Sequence, residues 1–402
     1  MFPAAAQNKT PDQLIENLLR KNKPLFDSVL ANRNDWRVQI LYSEILRDKK
    51  GKVSFADHAF NLDEEMYYYP ASTVKLPVAI LALQKLNELR IKGLDKNTTM
   101  ITETAGSRQT AVYNDPSSAD GRPTIAHYIK KILLVSDNDA FNRLYEFLGQ
   151  EYINNTLQQM GYRHAQIIHR LEVVLTEEEN RRTNPVRFVD STGKLVYDKP
   201  AETSGLLYAA RNTRIGKGFY RGGQLVNEPF DFSKKNRLTL VELHNIVKSI
   251  LFPEAVPKQM RFNLTADDYT FLRKYMSMWP GESASPVYSA PDYWDTYVKF
   301  LYYGAENNKP DTALRIFNKV GDAYGFLIDG AYIADYANKT DFLLSAVIYC
   351  NSDGILNDNN YDYDTIGLPF MKNLGRMIHA YERTKVRKQP LTFFPQLPLY
   401  TR

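Results

Sequence analysis

A single cysteine, Cys350, stands in 402 residues. One thiol excludes an intramolecular disulfide and any zinc site built on cysteine. Its place inside the apolar run Leu343–Cys350 marks it as a core group, not a nucleophile. Long hydrophobic runs are missing too: the best, Leu76–Leu83, falls far short of the ~20 residues a membrane helix needs, so no membrane span is expected. Neither sign of charge prevails. With 51 Lys+Arg against 46 Asp+Glu the net charge is +5, and the basic residues are scattered among acidic ones, which sets nucleic acid aside as a partner. The six histidines, His58, His127, His164, His169, His244 and His379, offer no pair at helical ligand spacing, so no metal is expected. Asp358, Asn360, Asp362 and Asp364 alternate as calcium ligands can, but the glycine and distal glutamate of a calcium loop are absent. Gly216-Lys217-Gly218 lacks the third glycine and the helix of a phosphate cradle.

What is present is enough apolar residue, 44% with 12% aromatic, to bury a large core and exclude disorder as the dominant state. Phe2-Pro3-Ala4-Ala5-Ala6-Gln7 are small residues of the kind that end a secretory signal, which favours a periplasmic or secreted protein over a start without meaning. Asp12 caps an expected helix from Gln13 to about Leu30. Residues 36–62 alternate as a hairpin turning at Lys49-Lys50-Gly51-Lys52. From Ala71 to Gly149 the signals are helical: Thr124 caps one segment, and Asp137 or Asp139 starts another that Gly149 ends. Residues 186–236 break the rhythm with a hairpin, Phe188–Tyr197, and a glycine-rich basic stretch, Arg214–Gly223. Helices are expected again over Leu238–Leu251, Thr265–Trp279 and Tyr293–Tyr303, then antiparallel strands over Arg315–Val320, Tyr324–Tyr336 and Phe342–Asn351. A last helix is expected over 367–382.

The predicted organisation is a helical segment, 1–34, and a single α+β domain, 35–402. Its antiparallel sheet comes from 36–62 and 315–351, segments about 250 residues apart, with a helical lobe at 71–185 and an insertion at 186–236. The crevice between sheet edge and lobe is the natural place for a site.

Three constellations fall at that crevice. Ser72-Thr73-Val74-Lys75 sets a hydroxyl and an amine one turn apart at the start of a helix, where a neutral lysine could take the serine proton. The spacing alone is weak, since Ser191-Thr192-Gly193-Lys194 repeats it inside a turn. Pro77, five residues into the expected helix, breaks a local rule of the kind functional sites break. Ser136-Asp137-Asn138 links two helices; alone it reads as a double cap. Lys319-Val320-Gly321 ends a strand.

In this order, and each in the element its chemistry needs, the three resemble the superfamily of class A β-lactamases and penicillin-binding D-alanyl-D-alanine peptidases. The flanks are similar as well. Tyr69-Pro70-Ala71-Ser72-Thr73-Val74-Lys75-Leu76-Pro77 resembles the entry to the nucleophile helix. Lys319-Val320-Gly321-Asp322-Ala323-Tyr324-Gly325 and Asp329-Gly330-Ala331-Tyr332-Ile333 resemble the active-site strand and its neighbour. Residues 35–185 and 237–385 are covered, and the nearest group is the secreted β-lactamase-related serine hydrolases. The resemblance implies a serine β-lactamase-like fold and an acyl-enzyme mechanism without metal or organic cofactor. Ser72 would be the nucleophile and Lys75 its base, its pKa lowered by burial and by Lys319. Ser136 would pass a proton to the leaving group, and Asn138 would hold Lys75 and the substrate amide. The backbone N–H groups of Ser72 and Asp322 would form the oxyanion hole. Lys319 would attract a substrate carboxylate beside Val320 and Gly321.

Two departures qualify this. The hydroxyl residue of the family's third motif is here Val320, which has no donor. Arg170-Leu171 and Thr183-Asn184-Pro185 resemble the entry and exit of the loop that supplies the deacylating glutamate, with an asparagine four residues later. Of Glu172, Glu177, Glu178 and Glu179, none has that asparagine. Glu179, followed by Asn180, Arg181 and Arg182, is taken as the general base, with a solvated acidic turn as the alternative, and a β-lactam adduct on Ser72 is expected to persist. The expected function is a serine hydrolase acting through an acyl-enzyme on a β-lactam, or on a related amide or peptide substrate with a carboxylate. A D-amino-acid or cell-wall peptidase or an esterase is the enzymatic alternative. A non-catalytic binder of peptidoglycan fragments or peptides is the alternative of another class. The oligomeric state is left open.

Overall fold

The computed structural model describes residues 13–106 and 109–385, so Asp12 and the Phe2–Gln7 segment lie outside the described residues. The expected first helix is two, α1 (Leu14–Lys21) and α2 (Lys23–Ala31), because Pro24 sits in the first turn of α2 and has no N–H to continue the ladder. The hairpin follows as β1 (Gln39–Arg47) and β2 (Val53–Phe60).

The nucleophile segment is a 3₁₀ turn, Ala71–Val74, running into α3 (Lys75–Leu89). The lobe is not wholly helical. It contains β3 (Thr99–Thr102), which pairs with β4 (Val186–Val189), itself in hairpin with β5 (Leu195–Lys199). The start of the 186–236 stretch is thereby tied into the lobe. Helices α4 (Ile125–Val135), α5 (Asn138–Leu148), α6 (Gln150–Gln159) and α7 (Glu177–Arg181) complete it. Thr124 and Asp137 are the N-caps of α4 and α5.

Short strands β6 (Arg214–Ile215), β7 (Gly218–Arg221), β8 (Gln224–Val226) and β9 (Phe230–Asp231) precede α8 (Leu240–Leu251) and α9 (Ala266–Ser277). The helix expected over Tyr293–Tyr303 is only α10 (Phe300–Tyr303), and Tyr302 within it has φ 83°. The stretch has no continuous apolar face to bury, and its Lys299 is drawn into the core instead. Three ten-residue strands follow, β10 (Leu314–Ala323), β11 (Phe326–Asp335) and β12 (Thr340–Tyr349), then β13 (Ile355–Leu356) and α11 (Leu368–Arg383).

The main sheet is antiparallel in the order β10-β11-β12-β1-β2. Both faces are buried, so alternate residues serve two cores. Leu41, Phe317, Ile328, Leu343 and Val347 pack with the lobe and α8. Ile40, Tyr42, Ile316, Leu344 and Ile348 pack with α1, α2 and α11. The architecture is α+β, and the edge strand β10 faces the lobe across a cleft.

Candidate active site

Ser72 lies on the 3₁₀ turn and Lys75 is the first residue of α3. At three residues per turn, side chains at i and i+3 eclipse, which sets the serine and the lysine on one side. The proline puzzle resolves here: Pro77 is the third residue of α3, where a backbone N–H would have no intrahelical partner. Strain is stored beside the serine instead, at Ala71, a non-glycine with φ 47°. Tyr67, Tyr68 and Tyr69 are all buried and form the wall beneath it. The Tyr69 ring stands perpendicular to that of Tyr324 at 5.1 Å and parallel to that of His169 at 6.1 Å.

Ser136 ends α4 in the left-handed region, φ 63°, and Asp137 then caps α5 by accepting from the Ala140 N–H at 2.7 Å. This turn aims the Ser136 side chain at two amines. Lys75 Nζ donates to the Ser136 carbonyl and lies 3.2 Å from its Oγ. Lys319 Nζ, arriving on β10, lies 2.8 Å from the same Oγ and donates to the Val320 carbonyl at 2.8 Å. Both amines are buried. Burial, then the neighbouring Lys319 cation, holds the Lys75 amine well below the usual lysine range, against the opposite pull of Asp137, Asp322 and Glu172. Burial pushes Lys319 down to about 7, with Asp322 and Asp329 opposing. Two cations on one hydroxyl titrate as a pair.

The glycine of the third motif has a steric reason. A Cβ on Gly321 would stand 2.8 Å from the Pro70 carbonyl oxygen, 2.9 Å from the Ser72 nitrogen and 3.0 Å from the Thr73 nitrogen. Only glycine lets the strand press its backbone against the serine turn. That contact sets the Gly321 backbone against the Ser72 amide, one residue before Asp322. The Asp322 carboxyl is exposed to the cleft, though its walls push its pKa up against the pull of Lys319 and Lys75.

The loop from 170 to 184 is pinned at its base. Arg170 donates to Glu146 at 2.8 Å and to the Arg182 carbonyl at 2.6 Å, while the other Glu146 oxygen accepts from the Asn184 N–H at 2.6 Å. Asn142 of α5 clamps both backbone groups of Leu171, at 2.9 and 3.0 Å. The next residue, Glu172, has φ 59° and its carboxylate accepts from Asn138 Nδ2 at 2.7 Å. Glu179, the residue favoured from sequence, is elsewhere. Its carboxylate accepts from the Thr176 N–H at 2.7 Å in the capping box of α7, and it lines a separate cavity with Gln109 and Arg182. Thr176, four residues after Glu172, is the other half of that box. Glu172, with Glu177 and Asp322, lines the cleft cavity, and Glu179 does not.

A cavity of about 600 Å³ joins these parts, lined among others by Ser72, Asn138, Glu172, Asp322, Tyr324 and Lys235. Val320 lines a second cavity on the Ser136 side. Ser191 and Lys194, the other copy of the spacing, lie on the exposed turn between β4 and β5. A model of the beta-lactamase enzyme family matches residues 29–218, which include the serine turn, the Ser136 turn and the Glu172 loop.

Over that part the chain is similar to the beta-lactamase enzyme family. Similar solved structures include a beta-lactamase from Desulfarculus baarsii, at 15% identity and TM-score 0.48, covering 90% of this chain and 98% of that one. A class A beta-lactamase from Clostridium kluyveri is similar at 14% and 0.48, covering 90% and 99%. A mutant of PBP-A solved as an acyl-enzyme complex with penicillin G is similar at 15% and 0.47, covering 93% and 100%. No curated protein matches the sequence. Within this β-lactamase-like site, sequence reasoning missed the place of Glu172. Its signal was its position directly after Arg170-Leu171, at the mouth of the loop.

Proposed function

We propose that the protein hydrolyses an amide, a peptide or a β-lactam-like ring through an acyl-enzyme on Ser72. The observation that carries this reading is the shared hydroxyl of Ser136, held 3.2 Å from a buried Lys75 and 2.8 Å from a buried Lys319. A neutral Lys75 takes the proton of Ser72 as its Oγ attacks the carbonyl carbon. The Ser72 and Asp322 N–H groups hold the oxyanion. The proton moves by way of Ser136, a hydroxyl that both accepts and donates, to the leaving nitrogen or oxygen. Lys319 supplies the fixed positive charge that keeps Lys75 neutral. Glu172 then activates water on the acyl carbonyl, with Asn138 orienting its carboxylate. A carboxylate present in the cleft changes the expectation of a lasting adduct: turnover is expected.

The test is intact-protein mass spectrometry after a fluorophosphonate or a penicillin. Ser72→Ala abolishes the adduct and Ser191→Ala leaves it intact; the reverse pattern would sink the assignment. Glu172→Gln lengthens the lifetime of the acyl adduct about a hundredfold or more, the scale of losing a general base. An unchanged lifetime would return the search to Glu177 and Glu178. Turnover of peptides ending in D-amino acids, with none of β-lactams, would select the peptidase alternative, and binding without any adduct would select the non-catalytic one.

A further inference from the structure

The cavity beside Val320, about 280 Å³, opens next to Ser136, the residue that faces the leaving group in the reading above. Its walls are Trp294, Tyr297, Tyr363 and Val320, and its polar groups include Asp322 and Asp364. The aromatic walls are fixed. Trp294 Nε1 donates to the Ala305 carbonyl at 2.8 Å, its ring stands perpendicular to that of Tyr297 at 5.0 Å, and the Tyr363 hydroxyl accepts from the Gly325 N–H at 2.8 Å. Both carboxylates are exposed to the cavity, and neither has an ion-pair or hydrogen-bond partner among the described residues. Asp322 lies within electrostatic reach of both Tyr297 and Tyr363. The cation nearest to Val320 is Lys319, whose amine is already engaged by Ser136 Oγ and the Val320 carbonyl behind the wall. No arginine of 186–236 lines the cavity; Arg211 Nη2 donates to the Ser233 and Lys235 carbonyls at 3.1 and 3.2 Å, away from it.

A substrate carboxylate placed here would meet two like charges, no free donor on Val320 and aromatic faces whose quadrupoles repel it. A cation meets the opposite on every count: two unpaired carboxylates for its charge and three aromatic side chains for its body. We propose that this cavity is a specificity subsite for a cationic group, an alkylammonium or guanidinium, carried on the leaving-group side of the substrate. The proposal rests on the assignment of Ser136 to that side. It replaces the carboxylate expected beside Val320 with a basic amide, peptide or ester as the substrate class.

The test uses three probes of one shape: choline, its neutral isostere 3,3-dimethylbutanol, and the anion 3,3-dimethylbutanoate. Binding to the full chain is followed by ligand-observed NMR, and site occupancy by protection of Ser72 against a fluorophosphonate. Choline is expected to bind at least tenfold more tightly than either of the others, and added salt should weaken choline alone. Asp364→Asn narrows the gap between choline and the neutral isostere severalfold, and Trp294→Ala does the same through the ring face. If the neutral or anionic probe binds as well as choline in the unmodified protein, the proposal is overturned whether or not the variants fold. Failure of Ser72 to react with the fluorophosphonate would count against the hydrolase reading instead, since NMR judges the subsite without any acylation.

Discussion

Two buried lysines of this protein, Lys299 and Lys75, are both shifted downward by burial, with opposite meanings. Burial pushes Lys299 down to about 7 and holds Lys75 well below the usual lysine range. Lys299 donates to the Met276 carbonyl at 2.9 Å, the Ile316 carbonyl at 2.9 Å and Asn318 Oδ1 at 2.7 Å. The Asn318 amide is fixed in that orientation, because its Nδ2 donates to the Val298 carbonyl and to Asp329, each at 2.9 Å. All three partners of Lys299 can only accept, so all three are satisfied only by an ammonium, and this lysine stays charged. Lys75 instead faces the Ser136 hydroxyl, which works in either direction, with Lys319 as the charge on its other side. The lesson is that burial alone does not make a lysine a base; a partner that can return a proton does.

Removing Lys75 gives the sharpest contrast. Lys75→Met should slow acylation by about a thousandfold or more while leaving thermal stability equal or improved, because a buried, poorly solvated amine is lost. Equal acylation by the variant would break the distinction outright. Lys299→Met should do the converse. It leaves a buried network without its cation and costs about 3 kcal/mol in urea unfolding, with a far smaller effect on the acylation rate of the folded fraction. The finest test is a pH profile. A like charge beside Lys75 lowers its pKa, so Lys319→Met raises it, and the acid limb of acylation moves to higher pH. Movement to lower pH would mean that Lys319 is not the charge acting on Lys75.

Much of this was legible in the sequence where the cause is local. Thr124 and Asp137 announce their helices because a cap is a contact between residues three apart, and the alternation of β10, β11 and β12 survives because both faces need apolar residues. What was not legible depends on distant partners. The Tyr293–Tyr303 segment looks helical until Lys299 finds carbonyls on two other elements. β3 is invisible inside a helical stretch because its partner β4 lies more than 80 residues on. Glu172 was passed over in a search for a later asparagine, whereas what places it is the Asn142 clamp on Leu171, 29 residues back in the chain. The spacing of Ser72 and Lys75 was found, but its Ser191 twin shows that spacing had to be read with its element.

The pairing of Gln39 with Val347 joins strands about 300 residues apart, and this fixes an order of events during synthesis. At ~5–20 residues per second, β1 and β2 wait roughly 15–60 s on the ribosome for β12. The turn bearing Ser72, the lysine behind it and the Ser136 turn are all made in that interval, but the strand that carries Lys319 and presses Gly321 against the serine is not. In the proposed mechanism the nascent chain therefore holds Ser72 and Lys75 without the Lys319 charge that lowers the Lys75 pKa, beside a sheet edge still open to other chains. On that mechanism reactivity arrives with the last third of the polypeptide, and a product truncated before Lys319 is expected to be inert as well as unfinished.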